Sequence, residues 1–374
     1  MKQIYLDYCA DTPPDSGVLQ IYADTAVSCF ANPNSVHPAG EQAKQIMRVS
    51  LGTIAELLHI RPEEIIFTGS ASEANNLAVK GLAFSSRRRG KHIVTTFLEH
   101  SSVSGALTFL QEQGWEIDMI HLDEQGRTDL NHLKKLLRKD TVLCSVCAVD
   151  SELGIIQPVA EIAELLQSYP NCCFHVDATQ AAGKIPLEAV MQADLISFAP
   201  HKFYGLKGCG ILIKKQNSIL EPLIHGGAST TLYRSGTPDT PAAAACAEAL
   251  KLAVQKLPER TEHVRKLNQF LREKLLQNSR IRINSPEHAV PHILNISVNG
   301  IKGEEMHRRL SSQNVCISVK SACAVPNTPS RAVMALTHDR KNAFSSWRIS
   351  LSHLTAPEEL EEFLFRLEQE MQRF

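Results

Sequence analysis

Residues 172–205, CCFHVDATQAAGKIPLEAVMQADLISFAPHKFYG, decide the fold. Two short apolar runs, CCFHVD and ADLISFAP, each lead to a group that can do chemistry: Asp177 closes the first and Lys202 follows the second. Runs this short, bounded by turn-forming residues, fit strands buried on both faces. The pattern extends in both directions. EEIIFT, KHIVTTF, WEIDMIHL and TVLCSVCAV lie upstream and GCGILIKK downstream. Helical patterns separate them, among them EANNLAVKGLAF, VSGALTFLQEQ, DLNHLKKLLR and VAEIAELLQSY. Strand–helix alternation of this kind predicts an α/β fold whose mainly parallel, mixed sheet is covered by helices. A ligand in such a fold sits beyond the carboxyl ends of the strands.

Past this region, PERTEHVRKLNQFLREKLLQN sets Val264, Leu267, Phe270, Leu271 and Leu275 at helical spacing. It leads toward a smaller α+β domain that holds HILNISV, VCISVKSAC, WRISLSHL and a last helix. Thr355, Pro357 and Glu358 read as the capping box of that helix, and Leu360, Phe363, Leu364 and Leu367 as its buried face. The expected division is a large domain over residues 15–255 and a small one over 256–374 together with 1–14.

The 374 residues are 43% hydrophobic and 21% charged, an ordinary balance for a soluble globular chain long enough for about two domains. A net charge of -1 offers no broad attraction to nucleic acid or membrane. The one dense basic run, SSRRRGKH, reads as a solvated loop before a strand. MKQIYLDYCADTPP lacks the apolar core of a signal peptide, and no stretch is apolar enough to span a bilayer. Ten cysteines then read as reduced thiols, and a cytoplasmic location is expected. Cys144 and Cys147 form a C-x-x-C, followed by Cys172 and Cys173. On strands their odd spacing turns the side chains to opposite faces, so no metal site is expected.

An acid and an amine at the ends of neighbouring strands suit pyridoxal 5′-phosphate (PLP). That cofactor needs a lysine to hold its aldehyde and a carboxylate to keep its ring nitrogen protonated. It also needs an anion site. In EEIIFTGSASEANN a strand, small residues and a helix start follow one another, so the N–H groups of Ala71 and Ser72 and the Ser72 hydroxyl suit a phosphate. A plain helix cap by Ser72 is the alternative. His100, after HIVTTF, is either structural or a flat ring that stacks on a cofactor and moves protons. Arg348 in SSWRISL grips either a substrate carboxylate or an internal acid. Cys323 in VKSACAVPNTPS is the one thiol in a loop of small residues, where a thiolate can reach a substrate.

Together these segments resemble the cysteine desulfurases of the NifS/IscS type, in class V of the PLP aminotransferase superfamily. The resemblance runs in order through YLDYCADTP, NPNSVHPAG, FTGSASEANN, LEHSSV, HVDATQAAGK, the His201–Lys202 pair, HGGA, RSGTPD, PHILNISV, SAC at Cys323, PSRAVMAL and WRISL. It implies a fold-type I PLP enzyme and a homodimer. By matching motif, Lys202 holds PLP, Asp177 meets its ring nitrogen, Gln180 its ring hydroxyl and His100 its ring face. Ala71, Ser72, His201 and Thr237, the last from a second subunit, hold its phosphate. Arg348 binds the carboxylate of L-cysteine, with Ser151 nearby. Lys202 and His100 move protons, and Cys323 takes the sulfur as a persulfide.

The implied partner is a sulfur-acceptor protein, either an iron–sulfur scaffold or a tRNA thiolation enzyme. The chain departs from the pattern at Ser151, where an asparagine is usual, at Ala199, where a serine is usual, and at Lys320, where a glycine is usual. Asp11, Ala228 and Thr231 depart as well. These changes keep a second expectation open: a PLP-dependent cysteine or selenocysteine lyase that does not use Cys323.

Overall fold

A computed structural model describes residues 2–227, 229, 231–320 and 327–373. Its strands, in chain order, are β1 (Ile4–Tyr5), β2 (Ile65–Thr68), β3 (His92–Thr96), β4 (Glu116–Ile120), β5 (Thr141–Cys147), β6 (Cys173–Asp177), β7 (Leu195–Phe198), β8 (Gly210–Lys214), β9 (Ile281–Ile283), β10 (Ile293–Val298), β11 (Val315–Cys316) and β12 (Ser346–Ser350). Seven of them form one sheet in the order β2-β8-β7-β6-β5-β3-β4. All neighbours are parallel except β8, which runs against both β2 and β7. Each of the seven falls on a run read from the sequence, so the α/β class with a mixed, mainly parallel sheet is what the chain adopts.

The runs look uniformly apolar because both faces of the sheet are covered. Side chains alternate between two cores, as a period of two requires. Ile66, Ile93, Leu195 and Leu212 pack against Leu77, Leu82, Val103 and Leu110 of the helices at 71–86 and 101–112. Ile65, Val94, Ile196 and Ile211 face the opposite way, toward Ile54, Leu133, Ile162 and Leu250. Cys144 belongs to this second core, whereas Cys147 packs beside Leu98, Leu153 and Ile155. Burial pushes both thiols well above the usual thiol range, so they behave as small hydrophobes.

A further core surrounds the antiparallel sheet β12-β10-β9. Leu294, Ile296, Trp347 and Ile349 meet Val264, Leu267, Leu271 and Leu275 of the helix Leu257–Leu275 and Leu360, Phe363 and Leu367 of the helix Pro357–Gln372. Ile4 and Leu6, from the start of the chain, are buried in this same core, and β1 pairs in parallel with β11. The last helix begins one residue later than the capping-box reading. Ala356 occupies the cap and donates its N–H to Glu359 Oε2 at 3.1 Å. The Thr355 hydroxyl instead accepts from Ser352 N at 3.1 Å. Among the described residues no helix is long and apolar enough to cross a membrane.

Close approach of backbones fixes the turn after β2. A Cβ on Gly210 would lie 2.3 Å from the carbonyl carbon of Ser70, so only glycine lets β8 pass the loop that opens the helix at Ala71. Gly210→Ala is expected to displace that loop at a cost of about 1–3 kcal/mol. A lowered thermal midpoint of the cofactor-free protein is the check.

Candidate active site

Because β8 is antiparallel to both neighbours, β2 runs the same way as β3, β5, β6 and β7. The carboxyl ends of these five strands therefore open on one side, and the chain places its reactive groups there. A cavity of about 270 Å³ at this edge is lined by Ala71, Ser72, His100, Ser151, Asp177, Gln180, His201, Lys202 and Arg348. Nine positions singled out in the sequence thus meet in one hollow. Thr237 does not join them within this chain. It lines a separate cavity of about 170 Å³ with Gly69 and Arg234. Cys323 lies in residues 321–326, outside the described residues.

Asp177, at the end of β6, is 5% exposed and its carboxylate is fixed on both oxygens. Oδ1 accepts from Thr179 N at 2.9 Å and Oδ2 from Asn75 Nδ2 at 2.8 Å. Asn75 also donates to Ser102 Oγ at 2.9 Å and accepts from the Ser197 hydroxyl. Ser102 Oγ lies 2.8 Å from His100 Nδ1, and Ser102 N donates to the same nitrogen at 3.2 Å. A backbone donor on Nδ1 leaves the proton of a neutral ring on Nε2. His100 thus acts as the N-cap of the helix Ser101–Glu112, four residues beyond the end of β3. Burial lowers its pKa, with Asp177 opposing and Lys202 and Arg331 adding to the shift.

Lys202 ends the tight turn Pro200–Lys202 after β7. Its Nζ donates to two backbone carbonyls, Cys9 O at 2.8 Å and Ala10 O at 2.6 Å. Burial lowers its pKa, which favours the free amine that an aldehyde requires. His201 is pushed down to about 4, chiefly by burial and then by Lys202. Gln180 donates to Cys9 O at 2.9 Å, while its own buried Oε1 has no partner among the described residues. An amide oxygen left over in this way, beside a fixed carboxylate and a lysine whose pKa burial lowers, is the set of groups that a PLP ring hydroxyl, ring nitrogen and aldehyde need. The residues present fit the group.

The cap after β2 is Ser70, whose hydroxyl accepts from Glu73 N at 3.1 Å. That is two residues before the cap considered from the sequence, and it leaves the exposed Ser72 hydroxyl and the first-turn N–H groups available to an anion. Arg348 is 2% exposed on β12. It pairs with Asp7 at 2.9 Å and donates to Ser151 O at 2.7 Å, so the internal ion pair exists alongside its place in the cavity wall. Asn75, Ser102 and Asp7 were not singled out from the sequence. Helical spacing, which puts Asn75 on the same face as the small apolar Ala71 and Ala74, was the available signal for Asn75. Asp7 had none, since its partner is 341 residues away.

Against known proteins, the aminotransferase class-V family model matches residues 4–363. A relative named cysteine desulfurase IscS, from Dictyoglomus turgidum, is 34% identical over 96% of this chain and 92% of its own. A solved structure described as a NIFS-like protein superposes with a TM-score of 0.93 at 32% identity, covering 100% of both chains. Another, described as SspA in complex with cysteine, gives a TM-score of 0.82 at 32% identity, over 95% of this chain and 100% of that one.

Two outcomes are expected. Asn75→Ala removes the donor to Asp177 Oδ2 and the acceptor of the Ser197 hydroxyl and should cost about 1–3 kcal/mol, read by urea unfolding. Burial pushes the Glu99 carboxyl, next to His100, from 4.5 up to about 8. The folded chain then binds this proton more tightly than the unfolded one, so the contribution of Glu99 to stability falls as pH rises from about 4.5 to about 8 and is level above. Glu99→Gln should therefore raise the thermal midpoint at pH 8 and change it less at pH 5.

Proposed function

The chain belongs to the aminotransferase class-V family and, within it, to the cysteine desulfurases of the NifS/IscS type, and from that premise we propose that it binds PLP in the cavity at Lys202 and passes sulfur from L-cysteine to Cys323. The observation that carries this reading is the convergence of Asp177, Gln180, His100 and Lys202 on one hollow at the strand ends. Lys202 would hold the cofactor aldehyde, Asp177 its ring nitrogen, Gln180 Oε1 its ring hydroxyl and His100 its ring face. Ala71, Ser72 and His201 would hold its phosphate, with Thr237 contributed by a second copy of the chain. PLP, when bound, supplies an electron sink for the pair left by a broken Cα–H bond.

The protein's own groups do the rest. Arg348 orients the substrate carboxylate beside Ser151. Lys202, whose pKa burial lowers, takes the α-proton at Nζ. His100, with its proton on Nε2, serves proton transfer near the thiol. The Cys323 thiolate attacks the substrate sulfur. An S–S bond forms as the Cβ–S bond breaks, the electron pair stays on the carbon that becomes the methyl group of L-alanine, and Cys323 carries a persulfide. The persulfide sulfur then goes to an acceptor protein, either an iron–sulfur scaffold or a tRNA thiolation enzyme. Val27, Phe30 and Val36, 82%, 86% and 97% exposed, fall within one short stretch at and beyond the end of the helix Ser16–Ser28 and support the homodimer.

The test is the mass of the Cys323 peptide, read without reduction after PLP-loaded protein meets L-cysteine. The expected result is a gain of one sulfur matched by L-alanine. Cys323→Ala should abolish that gain and Lys202→Ala the alanine. Alanine with free sulfide and an unmodified Cys323 would identify a lyase instead.

A further inference from the structure

Lys202 borders a second hollow besides the reaction cavity. This one is small, about 10 Å³, and its lining includes Lys184, Tyr204, Arg260, His292 and His353 but no carboxylate. Lys184 is 6% exposed and makes one long hydrogen bond, from Nζ to the carbonyl of Lys202 at 3.5 Å. An ammonium has three protons to place, and so weak a single bond leaves it poorly satisfied. Burial, followed by the charges of Lys202 and Arg348 and opposed by Cys9, pushes its pKa down to about 8.

Two more buried atoms here have no partner among the described residues, Nδ1 of His292 and Nδ1 of His353. Burial pushes these rings down to about 3 and about 4, so both are neutral at ordinary pH. Each neutral ring then has one nitrogen that donates and one that accepts. The Tyr204 hydroxyl is already engaged with Ser352 Oγ at 2.6 Å, and its ring stands edge-on to His353 at 4.4 Å.

Unsatisfied polar atoms around a space of this size are the mark of a buried water, which needs two to four polar partners and room for about one probe sphere. The hollow is also not isolated. His353 and Arg260 line a surface basin of about 540 Å³ together with His263, Asp15 and Glu259. Lys202, Lys184, His292 and His353 thus line one hollow, and His353 and Arg260 also line the basin that opens to solvent.

We propose that one water held by Lys184 and His292 joins Lys202 to the outer basin and is the path by which the proton taken by Lys202 exchanges with solvent. This rests on the role given to Lys202 above. Each transfer moves one proton and no electrons: as the water accepts a proton from the Lys202 side it releases another toward His292 and His353. A separate exit matters when substrate fills the reaction cavity. Lys184 acts here as a positioning residue, holding the water and the Lys202 carbonyl.

Two measurements decide it. A crystal structure of the cofactor-free protein should show a water within hydrogen-bond distance of Lys184 Nζ and His292 Nδ1. An empty hollow overturns the proposal whatever the enzyme does. In the holoenzyme, α-deuterated L-cysteine should give L-alanine that has lost most of its label to solvent. Lys184→Met and, independently, His292→Leu should raise the retained label severalfold, because a deuteron with no exit returns to product. This partition does not follow from slower turnover alone, so unchanged retention in the variants also overturns the proposal. A wild-type holoenzyme that makes no alanine would count against the function proposed above, and the water would still be decided by the crystal.

Discussion

Six residues near the start of the chain, Asp7 to Thr12, hold the reaction cavity together. Leu6 just before them is buried among side chains of the smaller sheet. Asp7 then pairs with Arg348, the Cys9 carbonyl accepts from both Lys202 and Gln180, and Thr12 accepts from Tyr204 N while its hydroxyl donates to the His201 carbonyl. The cavity wall is thus shared between β12, the turn after β7 and a segment that belongs to neither. The ion pair closes a loop of 341 residues and the lysine contact one of 193. Such contacts form late, after the sheet and the smaller core exist, because loop closure must precede them. The lysine is aimed only when the whole chain is in place.

The sheet was legible from the sequence for a simple reason. Strands covered by helices on both faces are continuous apolar runs, and the residue that follows each run sits at the edge where ligands bind. Asp177, Lys202 and the loop at Ala71 could be placed by that rule alone. What could not be read were bonds between side chains distant in sequence. Asn75 looks like one polar residue in a short helix, yet it ties Asp177 to Ser102 and Ser197. Ser102 looks like a helix-start serine, yet its backbone and hydroxyl set the tautomer of His100. The last helix shows the same limit at shorter range. Thr355 accepts from Ser352 N, outside the helix, while Glu359 accepts from Ala356 N at the cap, with Pro357 as the first helical residue.

The electrostatics of the site follow one pattern. Burial holds the bases His100, His201 and Lys202 toward their neutral forms, and holds the acids Glu99 and Asp150 toward theirs, at about 8 and about 7. Both oxygens of Asp177 are engaged, by Thr179 N and Asn75 Nδ2. A fixed carboxylate beside bases whose pKa values burial lowers is a suitable environment for a cationic ring nitrogen and an amine that must give up a proton.

The departures from the family pattern acquire a physical meaning in this setting. Ala199 is fully buried in the core beneath the turn of Lys202, so its methyl group packs where a hydroxyl would need a partner. Ser151 acts through its carbonyl, which holds Arg348, and a backbone atom serves that purpose whatever the side chain. Lys320 donates to Thr328 O at 2.7 Å and to Thr328 Oγ1 at 3.0 Å, and Ser330 donates to Glu152 at 2.5 Å. Those bonds tie together the two ends of the stretch that contains Cys323 and anchor one of them next to Ser151. A glycine at position 320 could make neither of the bonds to Thr328. The charge at Lys320 is therefore first a clasp on the chain, and any influence on a thiol is exerted from a fixed position instead of from a swinging side chain.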